Sequence, residues 1–366
     1  MKKKKETTMR IGTEQLKALV GKAVNGAGND KTKPLTQFMG IIKSGENITL
    51  ITTDDTNYFY VHGITDADTG DINVTVFYEQ FAKLISKMTS KEVELEIVDN
   101  ALHVIGNGDY MIELPLDENG ELVVYPDPYN DKYKTDFKWD GEIKVAEIKT
   151  IIESVKPSLS TVDELPSIRN YFIGDNVIAT DRYKIASFDN RMMSKEVLMS
   201  SRLMDLLNLS ENTLNYKIDK DCMVFDSDDC TIFSKQMDDI EEYPIDAIES
   251  LISEKFKSVC KVNKNEFIAL LERIALFVGK YDDRAVRLYF EKNGIRVCNK
   301  NRKSNEVIDY SDSKGFKEYD CTISVDMLLA QLKAYGGDMV ELHYNNDKCI
   351  KFVDGSITQI VALMSE

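Results

Sequence analysis

The chain reads as an α+β protein with antiparallel sheets, in which one unit is written three times. Two observations carry this. Three amphipathic helix patterns recur, each followed by strand-like runs, a second helix and an alternating hairpin. The hairpins start at Val93, Leu214 and Val340, roughly 120 to 126 residues apart, which is the size of an ordinary small domain. A third observation is negative: no βαβ alternation appears, which argues against a doubly wound or barrel enzyme.

The elements follow in order. In "TEQLKALVGKAVN", Leu16, Leu19, Val20, Ala23 and Val24 form one apolar stripe, with Thr13 near the start. Ile148, Ile151, Ile152 and Val155 repeat the spacing, as do Phe267, Leu270, Leu271, Ile274 and Ala275, with Asn265 near the start. The second helices are "YEQFAKLISKM", "SSRLMDLLNLS" and "SVDMLLAQLKAY". The hairpins "VELEIVDNALHVIG", "LNYKIDKDCMVFDS" and "VELHYNNDKCIKFVD" turn at Asp99-Asn100, Asp219-Lys220-Asp221 and Asn345-Asn346-Asp347. Connectors fall near 125–136, rich in Pro and Asp, and near 250–259. Three domains are therefore expected, at 1–135, 136–257 and 258–366.

Composition limits the chemistry. The 366 residues are 43% apolar and 30% charged, the profile of a folded soluble protein. The longest apolar runs fall short of a bilayer span, and "KKKK" at 2–5 followed by "ETT" reads as a solvated tail, not a secretory start. Six cysteines without a CxxC pair point to buried reduced thiols in the cytoplasm, and three scattered histidines argue against zinc. The net charge of −16 argues against a free-standing duplex-binding surface, but not against a protein that holds DNA topologically between locally basic walls. "GNGDY" (106–110) lacks the rest of a phosphate loop, and "DADTGD" (66–71) lacks the later glutamate of a calcium loop. The acidic runs 226–230 and 238–242 have no glycine loop or basic clamp for phosphoryl transfer. No catalytic constellation and no cofactor site is expected.

One polar turn recurs. Thr180-Asp181 in "VIATDRYKIASF" has a counterpart at Thr53-Asp54, with Cys298-Asn299-Lys300-Asn301 at the matching place in the third repeat. Thr and Asp side chains bond neighbouring backbone groups and fix such bends. That role does not cover Arg182, Tyr183 and Lys184, which differ between the repeats.

The segment Thr180-Asp181-Arg182-Tyr183-Lys184-Ile185-Ala186 resembles the Thr-Asp-Gly-His/Tyr-Arg-Leu-Ala segment of the bacterial DNA polymerase sliding clamps, the beta subunit of the replicative polymerase. "DDRAVRLYFEKNGIRV" (282–297), Pro244 in "EEYPIDAI" and the ending "ITQIVALM" (357–364) carry the same resemblance, which runs from Met9 to Met364. It implies a non-enzymatic, head-to-tail homodimeric ring of three-domain subunits around duplex DNA, helices lining the hole. Such a ring tethers polymerase, clamp loader and repair proteins through short peptides.

Matching by motif assigns a peptide cleft to Ile168, Thr180, Arg182, Tyr183, Lys184, Ile185, Pro244, Ile248, Ile360, Ala362, Leu363 and Met364. The resemblance further implies DNA-facing Lys17, Lys22, Lys31, Lys33, Lys149, Lys156, Arg202, Arg273 and Lys333, and a dimer interface of Tyr110 and Ile112 against Leu276, Phe277 and Val278. Arg182 stands where the family has glycine and Lys184 where it has arginine, a divergence suited to a phage or plasmid clamp. The competing expectations are a clamp-fold scaffold that does not encircle DNA and a carboxylate- or metal-dependent phosphoryl-transfer enzyme.

Overall fold

The computed structural model describes residues 7–66, 68–132, 137–162, 165–235, 240–279 and 284–364. The tetralysine, residue 67, the end of the 125–136 connector, the first residues of the runs 238–242 and 282–297, and the last two residues of the chain lie outside them.

The first third runs β1 (Thr7–Gly12), α1 (Thr13–Ala23), β2 (Phe38–Ser44), β3 (Asn47–Thr53), β4 (Asn57–Ile64), β5 (Ile72–Phe77), α2 (Tyr78–Lys87), β6 (Glu92–Val98), β7 (Ala101–Ile105) and β8 (Asp109–Glu113). A short helix α3 (Pro128–Lys132) follows. The middle third repeats the order: β9 (Gly141–Lys144), α4 (Val145–Val155), β10 (Asn170–Ile173), β11 (Val177–Thr180), β12 (Lys184–Phe188), β13 (Val197–Ser200), α5 (Ser201–Leu207), β14 (Thr213–Ile218), β15 (Cys222–Asp226) and β16 (Cys230–Lys235). After α6 (Ile245–Ser253) the last third has β17 (Ser258–Asn263), α7 (Lys264–Ala275), β18 (Ala285–Phe290), β19 (Gly294–Asn299), β20 (Asn305–Asp309), an added strand β21 (Asp312–Lys314), β22 (Tyr319–Ser324), α8 (Val325–Ala334), β23 (Met339–Tyr344), β24 (Cys349–Asp354) and β25 (Ile357–Ala362).

Two compact units result: residues 1–146 with 202–236, and 147–201 with 237–366. The first holds a four-stranded sheet, β1-β6-β7-β8, and an eight-stranded sheet, β5-β2-β3-β4-β16-β15-β14-β9. The second holds a nine-stranded sheet, β13-β10-β11-β12-β25-β24-β23-β17-β21, and a four-stranded sheet, β20-β19-β18-β22. All the pairings are antiparallel, as the alternating strands and short turns dictate. The middle repeat is thus shared: its β16, β15, β14 and β9 extend the first repeat's sheet through β4–β16, and its β12 joins the third repeat's β25.

The apolar stripes sit where the periodicity puts them. Leu16, Leu19, Val20 and Ala23 of α1, Ile148, Ile151, Ile152 and Val155 of α4, and Phe267, Leu270, Leu271, Ile274 and Ala275 of α7 are all buried. Two local expectations are corrected. The cap of α7 is Asn263, not Asn265, because β17 runs straight into the helix and the Asn263 side chain accepts the Glu266 amide at 3.0 Å. The stretch 250–259 is mostly structured: α6 reaches Ser253 and β17 begins at Ser258, since Ile245, Ile248, Leu251 and Ile252 give that segment an apolar helical face. All six cysteines are free and buried. Among the described residues no helix is long and apolar enough to cross a membrane.

Candidate functional site

The hairpin between β11 and β12 is built by its own polar residues. Asp181 N–H donates to Lys184 O at 3.2 Å, and Thr180 Oγ1 donates to the same carbonyl at 2.8 Å. Asp181 Oδ1 accepts the amides of Tyr183 (3.0 Å) and Lys184 (2.7 Å). This leaves a two-residue tip, Arg182-Tyr183, with Arg182 at φ +76°. A left-handed residue at this point is why a glycine suits it. Tyr183 is 59% exposed, whereas Lys184 turns inward, pairing with Asp181 at 3.2 Å and donating to Pro157 O. Ala362 N–H donates to Tyr183 O at 2.8 Å and ties the turn to β25.

Behind the turn lies an apolar cluster. Ile185 and Ile360 oppose each other across β12 and β25, and with Ile168 and Ile248 they are buried together. The motif matching missed five residues of this cluster, Phe172, Ile178, Leu198, Tyr243 and Cys349. Phe172 stacks on Tyr243 with ring centroids 5.4 Å apart, and the Tyr243 hydroxyl donates to Ile178 O at 3.3 Å. Burial pushes that phenol well above its ordinary range. Tyr243 was legible as the neighbour of Pro244; Phe172 was legible only as a strand residue.

A small groove of about 140 Å³ opens over this cluster, lined by Ser160, Val162, Leu165, Ile168, Asp181, Arg182 and Tyr183. The exposed apolar side chains Val162 and Leu165 were not anticipated. Pro244 is exposed at the start of α6. Thr180 is buried and spent on the turn. Ala362, Leu363 and Met364 are half-buried; Leu363 packs against the third repeat's core, and Met364 N–H donates to Thr322 O at 2.9 Å. The groove therefore gathers Ile168, Arg182 and Tyr183, while Ile185, Ile248 and Ile360 are buried in one cluster with Ile168 and do not line it.

Most of the basic residues are matched by carboxylates. Lys17 pairs with Glu14 (2.7 Å), Lys33 with Asp55 (2.8 Å) and Lys333 with Glu272 (2.8 Å). Arg273 meets Glu306 at 3.0 Å, and Arg202 reaches Asp54 (3.3 Å) and the carbonyls of Asn25 and Ala27. Lys22 is half-buried against Asp229, whose carboxylate also accepts Ser210, Ser227 and the Glu211 amide. Burial alone pushes Asp229 up, but the bonds from Lys22, Ser227 and Glu211 outweigh it and hold the carboxyl far below its usual range. Lys31 is exposed and lines an open groove of about 700 Å³ with Asn29, Tyr78, Glu79 and Lys83. Lys149 and Lys156 are exposed.

Of the five residues expected at an interface, Tyr110, Leu276 and Phe277 are exposed, Leu276 by 82%. Ile112, on β8, and Val278, in the turn after α7, are buried in the chain's own core.

No protein-family model matches the sequence, and no curated protein matches it either. Solved structures do. The DNA polymerase sliding clamp of Bacillus subtilis is 17% identical, with a TM-score of 0.82 over 98% of this chain and 99% of that one. The DNA polymerase III subunit beta of Pseudomonas aeruginosa is 14% identical, with a TM-score of 0.82 over 98% and 100%. The C. crescentus beta sliding clamp is 14% identical, with a TM-score of 0.83 over 99% and 100%. From end to end, this chain has the fold of the bacterial DNA polymerase sliding clamps.

Proposed function

We propose that the chain is a DNA polymerase processivity clamp: three repeated domains per subunit, near 1–135, 136–257 and 258–366, two subunits closing head to tail around duplex DNA. The observation that carries the reading is the way the repeats join. The fourth strand of the first repeat, β4, pairs with the last strand of the second, β16; the fourth strand of the second, β12, pairs with the last strand of the third, β25. That leaves the last strand of the first repeat, β8, and the fourth strand of the third, β20, as complementary sheet edges. A second copy supplies the missing partner for each, and two such heterologous contacts close a ring.

The clamp is an accessory protein without its own chemistry. Phosphate contacts from Lys31, Lys149 and Lys156 without base readout let it slide. The groove at Ile168, Arg182 and Tyr183 takes an apolar-anchored peptide of the polymerase or loader, and Pro244, Leu363 and Met364 extend its rim. The working place is the replicating bacterial or phage-infected cytoplasm.

Sedimentation combined with retention on circular and linearised DNA tests this. The clamp dimerises and, once loaded, stays on a circle and runs off a linear end. A chain that stays monomeric at micromolar concentration and shows no loader-dependent retention overturns the reading. One observation favours a second reading, a clamp-fold scaffold that does not encircle DNA: Lys17, Lys22, Lys33, Arg202, Arg273 and Lys333 are all held by carboxylates. A dimer that binds partner peptides but is never retained on circular DNA selects it.

A further inference from the structure

We propose that the ring-closing strand pair has one fixed register, Asp109 of one copy opposite Asn305 of the next, and that the carboxylates of Asp109 and Glu113 dock at an arginine-lined recess beside β20. This rests on the head-to-tail reading above and goes beyond it by naming the pairing and the chemistry that selects it.

The register follows from the chain's two internal junctions. Equivalent positions can be traced through the ladders of each repeat from the residue just before its first helix. Gly12 opposes Glu92; two residues on, Glu94 opposes Ile105, which opposes Asp109. The same path in the second repeat runs Lys144, Thr213, Asn215, Asp226, Thr231. In the third it runs Asn263, Met339, Glu341, Val353, Thr358. Asp109, Thr231 and Thr358 therefore hold one position.

Tracing from the residue before each second helix gives the other partner. Phe77 opposes Phe38, Gly40 opposes Ile51, and Ile51 opposes Tyr60. The matching paths end at Ser187 and at Asn305. At both internal junctions these positions meet: Thr231 opposes Tyr60, and Thr358 opposes Ser187. The third junction is then Asp109 opposite Asn305.

Charge supports the same pairing. A recess of about 310 Å³ beside Asn305 is lined by Tyr289, Glu291, Arg296, Cys298 and Arg302. Arg296 is matched by Glu291 at 2.7 Å. Arg302 lies over the Tyr289 ring at 5.5 Å and has no carboxylate partner among the described residues. The buried Tyr289 hydroxyl likewise has no hydrogen-bond partner among them. On β8, Asp109, Met111 and Glu113 are exposed on one face, and the Asp109 carboxylate meets its neighbour His103 at 2.9 Å and no other side chain among the described residues. Opposed residues of an antiparallel pair project to the same face, so Asp109 enters beside the recess and Glu113 follows along the loop that carries Arg302.

Mixing two single variants of the full chain, Asp109→Cys and Asn305→Cys, tests the register by disulfide formation on a non-reducing gel. A cross-linked dimer is expected from the mixture, far above either variant alone and above Asp109→Cys mixed with Val307→Cys. Charge is tested by sedimentation: Asp109→Lys with Glu113→Lys raises the dimer dissociation constant by at least about tenfold, and adding Arg302→Glu recovers part of it. A wild-type chain that never dimerises overturns the ring reading and this pairing together. A stable dimer that cross-links only in another register, or ignores the charge reversals, overturns the pairing alone.

Discussion

Asp54 and Asp181 occupy the same point of two different repeats and make the same bonds: each Oδ1 accepts one amide at 3.0 Å, two residues on, and one at 2.7 Å, three residues on. The residues that follow them, Asp55 at φ +82° and Arg182 at φ +76°, share the left-handed conformation. One turn has been kept twice with two different tips, Asp55-Thr56 in the first repeat and Arg182-Tyr183 in the second.

Removing either carboxylate strands two turn amides, which costs about 1–3 kcal/mol. Each also holds a cation, Arg202 at Asp54 and Lys184 at Asp181, but Asp54→Ala is expected to cost more than Asp181→Ala because Asp54 additionally accepts the Asn57 side-chain amide at 3.0 Å. Urea denaturation of the two variants checks the order.

Arg182→Gly removes a side chain from a left-handed backbone position and from the wall of the small groove. Thermal stability is expected to hold or rise, by no more than about 1 kcal/mol. Affinity for an apolar-anchored partner peptide is expected to rise as the groove widens. Calorimetry with a polymerase-derived peptide measures both; a weaker peptide affinity contradicts the groove assignment.

Lys22 and Lys31 are close in sequence and unlike in setting. The Lys22 charge is absorbed by Asp229, whereas Lys31 stands exposed beside an open groove. Lys31→Ala is expected to weaken DNA binding and flatten its salt dependence, while Lys22→Ala chiefly lowers stability by exposing Asp229 to an unpaired burial. Binding titrations at several salt concentrations, beside melting curves, separate the two.

His62 sits between Thr49 (3.2 Å) and Thr231 (2.8 Å), facing Asp226, Asp229 and Lys22. Burial pushes its imidazole below the ordinary value, against the pull of Asp226 and Asp229. The folded state therefore favours the neutral ring, and the unfolded chain takes up a proton first as pH falls below about 6.5. Stability is lost from there downward to the folded value, by up to about 1.4 kcal/mol per pH unit. His62→Gln is expected to flatten the slope of unfolding free energy between pH 7 and pH 5.5. His343, depressed for the same reason, retains its share.

The repeat was legible because its period is long and its helices keep strict apolar stripes. The hairpin starts at Val93, Leu214 and Val340 occupy equivalent ladder positions, opposite Ile11, Leu214's partner Ile143, and Val262. The turn was legible because Thr and Asp write their bonding into the sequence. Less was legible where burial decides. Tyr110 and Ile112 share one face of β8, so alternation does not say that Tyr110 is exposed and Ile112 buried, and a list of lysines does not say which already has a carboxylate. Phe172 and Tyr243 meet only through tertiary packing, at positions 71 apart in the chain. In the third repeat, Asn299 bonds Ser304 across a longer hairpin loop, so its turn is not a copy of the first two.

The six buried cysteines have a practical meaning. Burial pushes the Cys321 thiol up to about 12 and that of Cys349 to about 11, so almost no thiolate exists at neutral pH to react. All six native thiols are buried, so thiol reagents are expected to reach them slowly while the chain stays folded. A cysteine introduced on its surface reports from that one place, and dyes or cross-linkers can be used on it without first stripping the protein of its own sulfur.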